Sequence, residues 1–216
     1  GDGATHLTIR HGHHTARVPV SVSQFEAPLL PDFRQDVNPV ISKMGCNAGT
    51  CHGAKDGKNG FKLSLRGYDP IYDVRAFTDD LAGRRINFAS PDDSLMLLKA
   101  TSAVPHQGGQ RTRTEEPFYQ ILREWIAQGC SLDMESPKVT SLEVVPQNPV
   151  IRDIGDLQQL RVIARFADGQ SRDVTRECFV ETSNGEVATV DDKGLVTSIR
   201  RGEAPMLARY EGAYAS

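Results

Sequence analysis

Several familiar signals are missing from this sequence, and each absence removes a class of protein. No apolar run approaches the roughly 20 residues that a membrane-spanning helix needs. The net charge is only −3, so neither a nucleic acid nor an acidic membrane surface is expected as a partner. We find no Ser-His-Asp arrangement, phosphate-binding loop or carboxylate pair, and we therefore predict no enzyme activity.

The composition that is present is typical of an ordinary globular protein. The 216 residues are 38% hydrophobic and 25% charged, which suits one or two domains with cores of their own. The chain begins Gly1-Asp2, without an initiator methionine and without a secretory signal. We therefore expect a mature or excised piece of a longer protein.

The most informative stretch contains two cysteines followed at once by a histidine. This order is the attachment signature of c-type haem, here with four residues between Cys46 and Cys51 where the usual signature has two. The two thiols must reach the two vinyl groups on one porphyrin edge, and His52 must reach the iron. The intervening residues, which include Gly49, can bulge outward and still deliver both thiols. The sequence predicts one covalently bound haem c.

Two other chemistries use the same side chains. Cys46 and Cys51 can form a small disulfide, with His52 as a bystander. Cysteine and histidine are also zinc ligands, but zinc takes a fourth ligand, and Cys130 and Cys178 form no second closely spaced pair. The four cysteines do not by themselves define the compartment.

The N-terminal residues predict a β-hairpin. Apolar residues alternate over residues 4–23 around a turn that contains Gly12. The histidines of the turn are interpreted as solvated residues and not as a metal site: His11, His13 and His14. Two strands are not stable alone, so we expect the hairpin to complete a sheet, in its own chain or in a homodimer by strand exchange. Because the spacing of residues 4–12 recurs at 204–212, we assign residues 1–25 to the remnant of a preceding Ig-like module.

The next residues have the spacing of three to four that is typical of helices. Helices are predicted from Asp36 as the cap, over residues 71–82, from Ser90, and over residues 115–128, where Gly129 ends the last of them. The order is a short helix, the haem motif, loops and an aromatic closing helix. Class I cytochrome c folds have this order, with the first and last helices crossing. We assign residues 26–135 to this domain.

From Val139 onwards the spacing changes to two. Short strands separated by turns such as Asp168-Gly169 and Lys193-Gly194 predict an Ig-like β-sandwich over residues 136–216, with its last strand truncated at Ser216. The predicted fold class is therefore α + β and multidomain. It combines a class I cytochrome c-like helical haem domain, an Ig-like sandwich and the N-terminal hairpin.

Two resemblances follow from particular motifs. Residues 139–216 resemble a bacterial Ig-like domain of group 2, through Ala167-Asp168-Gly169, Asp173-Val174-Thr175, Thr182-Ser183-Asn184, Val187-Ala188-Thr189-Val190-Asp191 and Gly194-Leu195-Val196-Thr197. Residues 30–130 resemble the cytochrome c domain of large exported planctomycete proteins, through Asp32-Phe33-x-x-Asp36-Val37-x-Pro39-Val40, the motif from Gly45 to Gly53, Gly60-Phe61-x-Leu63-Ser64-Leu65-x-Gly67-Tyr68-Asp69 and Tyr119-x-Ile121-Leu122-x-x-Trp125-Ile126-x-x-Gly129. The first resemblance implies a spacer or adhesion module, and the second implies haem and export.

The iron of a haem bound by His52 takes a sixth ligand on its other side. In many cytochromes this ligand comes from the segment before the last helix, where this chain offers Val104-Pro105-His106. We predict His52 and His106 as the two axial ligands. Met96 and Cys130 are the alternatives for the distal position. Cys130 can instead be a buried free thiol or form a disulfide with Cys178, and Cys178 is otherwise interpreted as a buried thiol of the sandwich.

The predicted function is electron transfer by a mono-haem module, with a redox partner protein or domain. Because covalent haem attachment takes place outside the cytoplasm in bacteria, we expect a periplasmic or otherwise exported protein. Two alternatives remain open. One is haem-based catalysis or gas sensing at a displaceable distal ligand, and the other is an Ig-like structural or adhesion fragment.

Overall fold

The computed structural model describes residues 1–81 and 83–216, which form two compact units, Gly1–Leu30 and Pro31–Ser216. Helices and strands are both present, as the predicted α + β class requires. Ala82, the last residue of a predicted helix, lies outside the described residues. Among the described residues, no helix has the length and apolar composition needed to cross a membrane.

The first unit contains the predicted hairpin. Strands β1 (Gly3–His11) and β2 (His14–Val22) pair antiparallel, and Gly12 lies in the turn with a φ of 57°. The register places Leu7 opposite Val18, so the alternating apolar side chains lie on one face of the ribbon and are exposed. The two strands form a two-stranded sheet of their own, so the expectation that they complete a larger sheet of this chain is not met in the described residues.

The second unit begins with seven helical segments. In chain order they are a π-helical turn (Phe33–Val37), α1 (Asn38–Lys43), a 3-10 turn (Leu65–Gly67), α2 (Pro70–Thr78), a 3-10 turn (Pro91–Asp93), α3 (Leu95–Ala100) and α4 (Pro117–Ala127). Three of the four predicted helices are present but shorter than predicted. The helix predicted from Ser90 is instead divided into the 3-10 turn and α3, because Ser94 between them is extended, with a ψ of 129°. The residues between them form the loops that carry the cysteines and histidines.

The first helical segment begins earlier than predicted, and its cap is Asp32 instead of Asp36. The Asp32 carboxylate accepts the backbone N–H groups of Arg34 at 2.8 Å and Gln35 at 2.7 Å. The Asp36 carboxylate in turn accepts the N–H of Asp32 at 2.9 Å. The two carboxylates thus accept backbone N–H groups that have no partner within the turn. This is the reciprocal arrangement that stabilises helix starts.

Helix α2 ends at Thr78, so the prediction that Leu81 packs inward from this helix is wrong. The N–H groups of Asp79 and Asp80 both point to the carbonyl of Arg75, which widens the last turn. Leu81 then has a φ of 51° and is 62% exposed. The chain therefore leaves the helical path one turn before the pattern indicated.

The helical residues share one apolar core. The Phe33 ring lies 5.1 Å from the Trp125 ring, and Phe77 lies 6.1 Å from Trp125 edge-on. The first and last helical segments are thus joined by a buried aromatic contact. In α3, Leu97 is the fully buried leucine.

The C-terminal strands form three small sheets. The strands are β3 (Val139–Val145), β4 (Leu157–Gln159), β5 (Arg161–Phe166), β6 (Ser171–Asp173), β7 (Phe179–Thr182), β8 (Ala188–Val190), β9 (Leu195–Ser198), β10 (Met206–Tyr210) and β11 (Ala213–Ala215). Their sheet orders are β3-β5-β6, β11-β10-β7 and β4-β9-β8, all antiparallel. Strands β4, β6, β7 and β11 were not predicted from the sequence. Val162, Ala164 and Ala208 lie at the centre of the largest cluster of buried strand residues.

Arg172 of β6 joins the strands to the first helical segment. Its guanidinium pairs with the Asp36 carboxylate at 2.7 Å and donates to the carbonyl of Gln35 at 2.5 Å. The hydroxyl of Tyr210 contacts the same guanidinium and donates to the same carbonyl, both at 2.5 Å. Lys43 at the end of α1 donates to the carbonyl of Cys178 at 2.7 Å. The helical residues and the strands are therefore parts of one compact unit, linked by charge-assisted hydrogen bonds.

We predict that Arg172→Met lowers the free energy of unfolding by about 2–3 kcal/mol, because Asp36 loses its cationic partner and the Gln35 carbonyl keeps only the hydrogen bond from Tyr210. Urea unfolding followed by tryptophan fluorescence measures the change, since Trp125 is the only tryptophan of the chain. The matched control is Arg161→Met, which breaks the more exposed pair with Asp173 and should cost less than about 1 kcal/mol. Equal losses for both variants would contradict this account.

The carboxyl of Glu211, the residue after Tyr210, makes the stability of the protein depend on pH. Burial raises the pKa of its carboxyl from 4.5 to about 7. Because the folded protein holds this proton more tightly than the unfolded chain, the contribution is fully present below pH 4.5 and is lost as the pH rises through about 7. We predict that Glu211→Gln, which imitates the protonated carboxyl, flattens this part of the stability–pH profile measured by urea unfolding. A profile unchanged by the substitution would rule out this role.

Candidate functional site

The helical residues enclose a cavity of about 990 Å³. This volume is at the upper end of the range of about 300–1,000 Å³ that is typical of cofactor and small-molecule sites. All four predicted cofactor-binding residues line it: Cys46, Cys51, His52 and His106. The chain thus brings together, in one place, side chains that are separated by more than fifty positions in the sequence.

The loop that carries the two cysteines closes on itself. It leaves α1 through Gly45, whose φ is 77°, and the N–H of His52 donates back to the carbonyl of Cys46 at 2.9 Å. Gly49 and Thr50 between the cysteines are exposed, while both cysteines line the cavity. The outward bulge that the sequence predicted is therefore limited to Gly49 and Thr50, and His52 follows directly after Cys51.

Two further residues hold the bulge. Asn47 is 2% exposed and donates from its side-chain amide to the Ser42 hydroxyl at 2.8 Å. Gly53 passes so close to the loop that a Cβ atom at this position would lie 2.0 Å from the carbonyl oxygen of Asn47. Only glycine fits there without moving the backbone.

His52 is oriented by a backbone carbonyl. Its Nδ1 lies 3.1 Å from the carbonyl oxygen of Phe61, and its own carbonyl accepts the N–H of Leu63 at 2.8 Å. A carbonyl oxygen can only accept, so Nδ1 carries the proton and Nε2 keeps a free lone pair. Burial holds the pKa of the His52 imidazole below its ordinary value, although the hydrogen bond to Phe61 acts in the opposite direction. The ring is therefore neutral and suited to bind a metal through Nε2.

His106 is oriented in the same way from the opposite loop. It follows Pro105, and its Nδ1 lies 3.0 Å from the carbonyl oxygen of Gly109. The N–H of Gly109 donates to the carbonyl of His106 at 2.9 Å, so the turn holds both the backbone and the ring. A Cβ atom at Gly108 would lie 2.8 Å from Cε1 of His106, so this position leaves room for the ring only as glycine.

The two imidazoles face one another across the cavity. Their ring centroids are 6.4 Å apart and their planes are within 4° of parallel. Two metal–imidazole bonds of about 2 Å each, together with the radius of each ring, span a comparable distance. The distance between the two rings is therefore compatible with a single metal ion between them.

The cysteines are free thiols in this structure, so neither of the disulfides considered from the sequence is formed. Burial raises the pKa of the Cys46 thiol to about 11 and that of the Cys130 thiol to about 12, so both are protonated near neutral pH. In the described part of the chain, no three His, Cys, Asp or Glu side chains lie close enough to hold a metal ion. In these described residues, neither the histidines of the hairpin turn nor Cys46, Cys51 and His52 belong to such a group.

The alternative distal ligands differ in position. Met96 lines the cavity, from the first turn of α3. Cys130 is 4% exposed, belongs to the apolar core and is not among the residues that line the cavity. Cys178 lies in the core of the strands, where its thiol contacts the carbonyl of Arg209 at 3.2 Å.

Sequence reasoning missed several parts of this site. The carbonyls of Phe61 and Gly109 are backbone groups, which no side-chain motif reveals. Arg85 was missed as well, although it is 6% exposed and lines the cavity. His106 was predicted, and a signal for the turn that holds its ring was available, because Gly108-Gly109 begins two residues after it.

Comparison with known proteins gave a family match for the C-terminal strands. Residues 138–208 match the family model of the bacterial Ig-like domain (group 2). The match covers about a third of the chain and confirms the resemblance expected for the C-terminal residues. No curated protein matches the chain. The cytochrome resemblance of the helical residues remains a prediction.

We predict that Gly53→Ala lowers the free energy of unfolding by more than about 3 kcal/mol, because the new methyl group collides with the backbone of Asn47. Gly49→Ala is the matched control in the same loop. Its Cβ atom would meet only the Leu65 side chain at 3.6 Å, an ordinary contact, so a change within about 0.5 kcal/mol is expected. Urea unfolding measures both variants, and a tolerated Gly53→Ala would contradict the close approach.

Proposed function

We propose that the helical residues form a mono-haem c-type cytochrome module that transfers electrons. The observation that carries the proposal is the convergence of Cys46, Cys51, His52 and His106 on one cavity, with the two imidazoles parallel and 6.4 Å apart. Haem supplies the one-electron chemistry when bound, and the protein supplies attachment, ligation and burial. The cytochrome c-like helical fold and an exported location belong to the same proposal.

Each residue has a defined part in this proposal. Cys46 and Cys51 would form the two thioether bonds, while His52 and His106 would bind the iron from its two sides. The carbonyls of Phe61 and Gly109 hold the protons at Nδ1 of the rings, so that both Nε2 atoms are available without a change of tautomer. Such outer hydrogen bonds also raise the basicity of the imidazoles.

The ligand set favours electron transfer over catalysis. With two histidines held by tight turns, no coordination position is left open for a substrate or a gas. Two imidazoles also lack the thioether that raises the potential in His/Met cytochromes, so a lower potential than theirs is expected. We therefore infer no enzyme activity for this chain.

The partner in this proposal is another redox protein or domain outside the cytoplasm. Haem is attached to thiols in that compartment in bacteria. The Ig-like match is compatible with it, since domains of this group are usual in surface proteins. Because Arg172 ties the strands to the turn before α1, and Lys43 ties them to the end of α1, we infer that the Ig-like residues also support the haem-bearing loop.

The first test is the mass and visible spectrum of the 216-residue protein produced with a c-type haem maturation system. We predict one added haem, a six-coordinate low-spin spectrum and no carbon monoxide binding by the ferrous protein. Cys46→Ser with Cys51→Ser should abolish the covalent haem, while Cys178→Ser should retain it. A colourless wild-type protein of unmodified mass would refute the proposal.

The visible spectra of two further variants identify the distal ligand. His106→Ala should give high-spin iron that binds carbon monoxide, because the distal position is then empty. Met96→Leu should leave the spectrum unchanged. If Met96→Leu instead gives the high-spin spectrum, the distal ligand is Met96. Carbon monoxide binding by the wild type would favour catalysis or gas sensing.

A further inference from the structure

We propose that Arg85 is the residue that binds a carboxylate of the cofactor and that it thereby sets which way round the porphyrin enters the cavity. This inference rests on the proposed haem site and names a residue for which the sequence pattern gave no role. It is carried by the charge of the cavity wall and by the surroundings of the Arg85 guanidinium.

The wall of the cavity carries charge of one sign. Five cationic side chains line it: Lys58, Arg84, Arg85, Lys99 and Arg111. Among the described residues, no aspartate or glutamate lines it, although the chain as a whole has a net charge of −3. A cleft lined by charge of one sign attracts a ligand of the opposite sign. The occupant is therefore expected to carry negative groups.

Arg85 differs from the other four because it is buried. It is 6% exposed, whereas Lys58, Arg84 and Arg111 are exposed and Lys99 is half-buried. Its Nη1 donates to the carbonyl of Ala76 at 3.0 Å and its Nη2 to the carbonyl of Gly60 at 2.9 Å. Its Cζ lies 4.2 Å from the centre of the Phe61 ring.

These contacts hold the guanidinium but do not neutralise it. In residues 1–81 and 83–216, no carboxylate forms an ion pair with Arg85. A guanidinium has five N–H donors, and the two hydrogen bonds to carbonyls leave three. The Asp80 carboxylate favours the charged guanidinium, but from beyond the distance of a direct ion pair. A buried charge without a direct ion pair is unfavourable, and a carboxylate that accepts from the planar fork removes that penalty. A carboxylate on the occupant is thus the matching group.

The position of Arg85 also defines an orientation. Arg111 lies close enough to favour the thiolate of Cys46, while Arg85 lies over Phe61, whose carbonyl holds His52. Haem carries its vinyl groups and its carboxylates on different edges. A porphyrin that presents its vinyl edge to Cys46 and Cys51 directs its carboxylates to another part of the wall. We assign Arg85 to that part because it is the buried one of the five cations. The pairing would align the vinyl groups with the thiols before any bond forms.

The test compares two porphyrins that differ only in their carboxylates. Iron mesoporphyrin has ethyl groups in place of vinyls, so it cannot form thioethers, and its dimethyl ester lacks the two negative charges. Each is titrated into the haem-free 216-residue protein, and the change in absorption gives the dissociation constant. We expect the wild type to bind the ester about tenfold more weakly or worse.

The variants assign this preference to one residue. Arg85→Met should lose most of the preference for the free acid, and Arg85→Lys should keep part of it, because a lysine retains the charge without the fork. Arg84→Met, at the exposed neighbour on the same wall, should keep the full preference. Circular dichroism establishes that each variant is folded, and Arg85→Lys provides the comparison if Arg85→Met is not.

The outcomes separate the two proposals. If the wild type binds neither porphyrin, the haem site itself is refuted. If it binds both with equal affinity, the haem site stands and the role of Arg85 is refuted. If Arg84→Met removes the preference and Arg85→Met keeps it, the carboxylate is bound by another part of the wall, and the assignment to Arg85 is wrong.

Discussion

The contact between Arg172 and the first helical turn is the constraint on which the candidate site depends. The turn is held on one side by the aromatic contact of Phe33 with Trp125, and on the other by the guanidinium that reaches Asp36 and the Gln35 carbonyl. Helix α1 follows without a break and ends one residue before Gly45. The loop that carries the thiols therefore starts from a fixed point. A helix of six residues would not keep such a position by itself, because short helices are marginal in water.

This arrangement gives the Ig-like residues a structural part that their family likeness does not suggest. A spacer module needs only flexible connections to its neighbours. Here Lys43 donates to the carbonyl of Cys178, and Tyr210 contacts both Arg172 and the Gln35 carbonyl. The strands thus act as a support behind the helix that leads to the cavity. The two parts are best considered as one folding unit with two kinds of secondary structure.

The parts of the structure that could be predicted are those in which neighbouring residues carry the information. The hairpin around Gly12 and the closing helix before Gly129 are local patterns, and both segments form as expected. The haem motif is a local pattern as well, and its assignment remains a prediction. The cap at Asp32 was missed because a π-helical turn shifts the usual spacing by one residue. The pairing of Arg172 with Asp36 joins residues 136 positions apart, and a single sequence gives no signal for such a contact. The same applies to the orientation of His52, since it depends on a backbone carbonyl.

The hydrogen bond from the N–H of His52 to the carbonyl of Cys46 has a consequence for how such motifs diversify. It closes the base of the loop and fixes the spacing of Cys46 and His52, while Gly49 at the tip is exposed and does not line the cavity. The number of residues in the tip can then drift during evolution while the spatial relation of thiols and imidazole stays constant. Searches that demand a strict two-residue interval between the cysteines would overlook chains that preserve the geometry and vary only the tip.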